Sequence, residues 1–187
     1  PVYSSVSGTV AKLDNVIDAT GYLKPAIIVN VEGDEWEESI DRSDTLETLD
    51  KHPELTPEEI VNRIKVAGVT GMGGAGFPTH VKLSPKEPGK IEYILVNGAE
   101  CEPYLTSDYR RMMDQPEKVV EGLKIVVGLF PNAKGCICIE DNKPDCIARM
   151  KELAAGVPNI EVKELMTKYP QGGERTLIYA VTGREIN

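Results

Sequence analysis

Residues 71–82 read Gly-Met-Gly-Gly-Ala-Gly-Phe-Pro-Thr-His-Val-Lys, and this run limits the chain more than any other feature. Four of its first six residues are glycine, so no side chain keeps the backbone from touching a ligand. Such a backbone can also enter φ > 0 and turn successive N–H groups inward, which makes a concavity for an anion. Phe77 adds a flat aromatic surface, Pro78 stiffens the exit, and Lys82 brings a positive charge within reach. The combination suits a planar ring system carrying phosphate, as in a nucleotide or a flavin.

The spacing Gly71-x-Gly73-x-x-Gly76 also matches a dinucleotide-binding pattern. That pattern has meaning only when it follows a strand and opens a helix. Here residues Glu58 to Ala67 read as a helix, and Pro78 stands where a continuing helix needs its amide donor. A cofactor loop of another arrangement is expected, not a Rossmann turn.

The 187 residues fit one ordinary domain, or a domain plus a fragment, and 41% hydrophobic content is enough for a real core. A net charge of -9 excludes a nucleic-acid binder, whose footprint would be basic. No apolar run approaches the roughly 20 residues that span a bilayer, and no signal peptide is visible. Membrane association is therefore expected only through partner proteins. The opening is abrupt, and the chain is expected to be cut from something longer.

Four cysteines, Cys101, Cys136, Cys138 and Cys146, lack the spacing of an iron–sulfur or zinc site. His52 and His80 show no ligand spacing either. Buried thiols are expected and no metal site.

Residues 1–31 carry β-like runs at Val2–Val6 and Ala26–Val31, and Glu32 to Glu54 read as an acidic, solvated connecting segment that Trp36 is expected to pin to the body. A helix then starts with Thr56 as cap, Pro57 in its first turn, and Glu58 and Glu59 beside the positive end of its dipole. Strands are predicted at 91–96, 135–140 and 160–165, and helices at 117–129, 141–155 and 173–181. This alternation implies an α/β fold, a mostly parallel sheet with helices on both faces, occupying residues 55–187. Ligands in such sheets sit beyond the carboxyl ends of the strands.

That rule points to Asn97-Gly98-Ala99-Glu100-Cys101-Glu102-Pro103-Tyr104. Asn97 offers both a carbonyl and an amide, and Glu100 and Glu102 are acceptors suited to ribityl or ribose hydroxyls. A third stretch, Tyr169-Pro170-Gln171-Gly172-Gly173-Glu174-Arg175, leads glycines into a helix start, where small residues leave room for an anion.

Together, residues 71–82 (GMGGAGFPTHVK), 97–103 (NGAECEP) and 171–174 (QGGE) resemble the FMN- and NADH-binding fold of the flavin subunit of respiratory complex I. They are more similar still to the RnfC subunits of Rnf electron-transport complexes, which share the NGAECEPY and YPQGGE stretches and a TGRE sequence, here Thr182–Glu185. The opening SVSGTV resembles the end of a lipoyl-like barrel-sandwich domain, so residues 1–31 are expected to be a β-rich remnant of one.

The resemblance implies noncovalent FMN held by Gly71, Gly73, Gly74, Lys82, Asn97, Glu100, Gly172 and Gly173. It implies NADH bound by Phe77, Glu102 and Glu174. No side chain is implied as acid, base or nucleophile. The implied activity is hydride exchange between NAD(H) and FMN, with electrons passed to iron–sulfur centres and on to ferredoxin. The 4Fe-4S clusters themselves belong to a part of such subunits that this chain does not contain. The implied setting is an ion-translocating complex of several subunits, with this one peripheral on the cytoplasmic side of the membrane. Soluble RnfC-like proteins, which reduce cobalamin or donate to proline reductase, and a non-catalytic scaffold are the alternatives. Two departures bear on affinity: the complex I pattern has aspartate where this chain has Ala99 and glutamate where it has Gly173. Cys101, flanked by two glutamates, is expected to remain a protonated thiol without a redox role.

Overall fold

A computed structural model describes residues 4–71 and 76–186. The chain divides into two compact units, 1–45 and 46–187.

In the first unit, β1 (Gly8–Ile17) pairs antiparallel with β2 (Leu23–Val31), with Leu13 opposite Ile27 and Ile17 opposite Leu23. The turn between them is tied by Asp18, whose carboxylate accepts from the Thr20 amide at 2.8 Å. The first β-like run therefore lies later than expected: Val2 and Tyr3 fall outside the described residues, and Ser4 to Val6 are not in a strand. Trp36 is 52% exposed and carries the Arg42 guanidinium 4.6 Å from its ring centre.

The second half of the expected connecting segment is not a solvated linker. Residues 49–51 form a 3-10 turn, and the Leu49 N–H donates to the buried Glu121 carboxylate at 2.6 Å. Helix α1 (Pro57–Val66) starts as its sequence dictates. The Thr56 hydroxyl accepts from the Glu59 N–H while the Glu59 carboxylate accepts from the Thr56 N–H, so two otherwise orphaned donors are satisfied. A single helical turn, α2 (Thr79–Lys82), follows the glycine run.

The sheet comes next. Strands β3 (Tyr93–Asn97), β4 (Lys134–Glu140) and β5 (Ile160–Leu165) are parallel and lie in that spatial order. Between them run α3 (Ser107–Asp114), α4 (Pro116–Gly128) and α5 (Pro144–Ala154), and α6 (Glu174–Thr182) ends the unit. The central strand separates two layers by its alternation. Ile137 and Ile139 pack with Met112, Leu123, Ile147 and Met150 of the three intervening helices. Cys136 and Cys138 pack with Leu165 and with Leu177 of α6. This is the expected α/β arrangement, a parallel sheet with helices on both faces.

Candidate functional site

The glycine loop leaves and returns at one point. Thr70 and Pro78 form an antiparallel bridge, Gly71 N–H donates to the Phe77 carbonyl at 3.0 Å, and Thr79 N–H donates to the Val69 carbonyl at 3.1 Å. Gly73 and Gly74, with Met72 and Ala75, lie outside the described residues. The loop follows α1 rather than a strand, as the sequence required, and α2 opens only at Thr79. The flanking elements are thus not the strand and helix that frame a Rossmann turn. Phe77 is 56% exposed, and α2 carries Lys82 in its last residue.

Lys82 enters a cleft of about 500 Å³ with Asn97 from the carboxyl end of β3 and Glu174 from the first residue of α6. Leu95, Leu177 and Ile178 give this cleft an apolar wall, Tyr93 an aromatic one, and Thr182 and Arg184 close its far side. Arg184 is fixed there by Glu92 at 2.6 Å and by the Tyr93 ring at 5.7 Å. Three residues chosen from separate motifs, Lys82, Asn97 and Glu174, are therefore brought together. Phe77 and Glu102, the other two assigned to the dinucleotide, are exposed and do not line the cleft.

Asn97 joins two of the motifs. Its Nδ2 donates to the Gly172 carbonyl at 2.8 Å, and its Oδ1 accepts from the Ala99 N–H at 3.2 Å. The fit between the two loops is close: a Cβ on Gly172 would stand 2.5 Å from the Ala99 carbonyl oxygen. Gly173 is the N-cap of α6, so the helix begins at the cleft.

Glu100 is turned inward. Its side chain is only 2% exposed; Oε1 accepts from the Asp108 N–H at 2.6 Å. Its Oε2 accepts no aligned hydrogen bond, but Lys143 Nζ stands 3.3 Å away as counter-charge. Lys143 and Tyr93 escaped sequence reasoning, while Gln171 and the TGRE stretch drew notice without a role for Gln171 or Arg184. Gln171 is 2% exposed and its Oε1 has no partner, a burial that only the fold reveals.

The thiols divide by environment. Burial pushes Cys136 and Cys146 up to about 11 and Cys138 up to about 12, with neighbouring Glu161 adding to the effect on Cys136 and Asp145 to that on Cys146. Such thiols stay protonated at neutral pH and are poor nucleophiles. Cys101 is half-buried and unbridged.

Comparison with known proteins agrees with this architecture. Residues 64–187 match the family model of the Nuo51 FMN-binding domain. The chain is 42% identical to a component of the proton-translocating ferredoxin:NAD(+) oxidoreductase complex of Clostridium ljungdahlii, across 99% of this chain and 39% of that protein. It is also 42% identical to the corresponding component of the Na(+)-translocating ferredoxin:NAD(+) oxidoreductase complex of Acetobacterium woodii, across 100% of this chain and 41% of that protein. Both relatives are RnfC subunits. The chain thus spans about two fifths of the length of these relatives. Among solved structures, an NAD+-reducing NiFe hydrogenase in the air-oxidized state shares the fold at TM-score 0.56 and 24% identity, over 69% of this chain and 24% of that one. The resemblance that the three motifs carried is met across the whole chain. With its glycine loop, its parallel sheet and the cleft along β3 and α6, the chain belongs to the Nuo51 FMN-binding domain family.

Proposed function

We propose that the cleft binds FMN and that the chain serves hydride exchange with NAD(H) as part of an electron-transfer subunit. The observation that carries this reading is the meeting of Lys82, Asn97 and Glu174 in one cleft. Its roughly 500 Å³ falls within the range of about 300–1,000 Å³ typical of cofactor pockets. The residues fit the group: Lys82 supplies a cation for the phosphate, and the Leu95, Leu177, Ile178 and Tyr93 walls suit a flat ring.

Bound FMN supplies two-electron exchange with a nicotinamide and one-electron exchange with metal clusters. The protein's part is placement. Gly71, Gly73, Gly74, Gly172 and Gly173 let backbone approach the cofactor, with Asn97 and Lys82 as its polar contacts. Glu100 supports the loop that carries Asn97. Phe77, Glu102 and Glu174 are the residues proposed to meet NADH at the outer side. The relatives' names extend the proposal to a ferredoxin-linked, ion-translocating complex. Iron–sulfur centres as electron acceptors, the other subunits as partners and a peripheral position on the cytoplasmic side belong to the same reading. So does the assignment of residues 1–31 to a barrel-sandwich domain. Among the described residues no helix is long and apolar enough to cross a membrane, which accords with attachment through partners.

The test is titration of the purified protein with FMN, followed by quenching of flavin fluorescence, with FAD in parallel. Saturable quenching by FMN, with no gain in affinity from the adenylate half of FAD, is expected. Unchanged fluorescence would overturn the assignment.

A further inference from the structure

We infer that Lys143 is a positioning residue for the cofactor loop, holding the Asn97 side chain in place through a buried ion pair with Glu100; this rests on the FMN reading above. Lys143 lies outside the cleft, at the N-cap of α5, and its side chain is 13% exposed. Its ammonium is 3.3 Å from Glu100 Oε2, and the Glu100 side chain is 2% exposed. Glu100 follows Asn97 by three positions in the same loop. Its second oxygen accepts from Asp108 N–H, within the first turn of α3. One carboxylate thus ties the loop after β3 to the starts of two helices.

A further contact fixes the same helices to each other. The Tyr109 hydroxyl of α3 donates to Asp145 of α5 at 2.6 Å. The loop between Asn97 and Thr106 is therefore anchored at its centre against a braced frame. At its cleft end the main chain is held by the sheet, where Asn97 pairs with Cys138 and Gly98 N–H donates to the Cys138 carbonyl at 2.9 Å. The Asn97 side chain is held by its bonds to Gly172 and Ala99.

Removing one member of a buried pair leaves an uncompensated charge, whereas removing both can be nearly neutral. Without Lys143, Glu100 would gain solvation only by leaving its site, and the loop would have to move with it. The Asn97 side chain, whose Oδ1 accepts from the Ala99 N–H of that loop, would lose this anchor while its main chain stays in β3. A neutral residue at position 100 has no such need for water.

The variants Lys143→Met, Glu100→Gln, Lys143→Arg and the double Glu100→Gln/Lys143→Met separate this role from general stability. In the purified protein, Lys143→Met is expected to raise the FMN dissociation constant about tenfold or more. Lys143→Arg should stay within about threefold, and the double variant should recover most of the loss, a coupling that additive damage does not give. Hydrogen exchange without FMN should show faster exchange of amides 97–104 in Lys143→Met and unchanged protection in β4. Unaltered exchange of that loop, or a double variant as impaired as the sum of its parts, would overturn the inference. Should the unmodified protein bind no FMN, the cofactor reading falls, and the exchange measurement still decides whether Lys143 holds the loop.

Discussion

The side-chain amide of Asn97 donates to the main-chain carbonyl of Gly172 at 2.8 Å, joining two loops whose bonded residues are 75 positions apart. Asn97 also accepts from Ala99 N–H, so a single side chain sets both the shape of its own loop and its distance from the next. Asn97→Ala removes both bonds. The expected result is a loss of about 1–2 kcal/mol in unfolding free energy, from two ordinary hydrogen bonds at an exposed site. FMN affinity should fall at least several-fold in the same titration. An unchanged dissociation constant would show that the loop is held by other means.

Gly172→Ala tests the closeness of the loops. The added Cβ would sit 2.5 Å from the Ala99 carbonyl oxygen, and that oxygen belongs to backbone that cannot simply turn aside. A cost of about 1–3 kcal/mol is expected from forced separation. Thermal denaturation reads the loss, and FMN binding should weaken with it. Gly122→Ala, where a Cβ meets nothing within 4 Å, is the control and should cause neither loss.

The thiols should react in two classes. At pH 8, Cys101 should take up iodoacetamide in the folded protein, while Cys136, Cys138 and Cys146 should react only after unfolding, because burial both shields them and holds them protonated. Mass spectrometry of the labelled protein counts the modified sites. Cys101→Ser should leave electron transfer within a few-fold of the unmodified protein, since no buried partner is positioned as a thiolate.

Acid should weaken the fold through identified carboxylates. The Tyr109 hydroxyl, then the Cys146 N–H, holds Asp145 below its ordinary value; the Thr56 N–H and hydroxyl do the same for Glu59. A carboxylate whose folded pKa is depressed contributes stability that is complete above its unfolded value near 4 and is lost as pH falls through the folded value. Asp108 has the opposite sign. Burial, then the Glu100 charge, raises it, so its ionised form is penalised in the fold. Asp108→Asn is therefore expected to raise the melting temperature slightly at pH 7 and to leave it unchanged near about pH 3, where the aspartate is already neutral. A gain that persisted in acid would assign the effect to something other than charge.

Much of the sheet unit could be read from sequence because its signals are local. Strand β5 falls at the predicted residues, α1 begins at the predicted Thr56 cap, and β4, α4 and α6 begin and end within a residue of expectation. Helix α3 gives a weaker signal: it has eight residues, and its apolar stripe is only Tyr109, Met112 and Met113 among the charged Asp108, Arg110, Arg111 and Asp114. Its place is decided by Met112 burying into the core and by Asp108 N–H finding Glu100. The site shows the same division. Lys82, Asn97 and Glu174 stand in recognisable motifs, whereas the role of Lys143 depends on a partner 43 positions away, which no spacing rule reveals. Alternation alone does not mark where β1 starts, because the run at Val2 to Val6 is as β-like as the residues beyond Gly8; among the described residues, pairing with β2 begins at Gly8.

The order of the strands has a kinetic consequence. In a parallel sheet each neighbour arrives only after a helical crossover, so pairing is non-local and slow compared with a hairpin. The cleft needs β3 and α6, the first and last elements of that sheet unit's α/β run, together at one place. A half-folded chain therefore has no such cleft, and, on the proposed function, recovery of flavin quenching during refolding would time the last step of assembly, not the first.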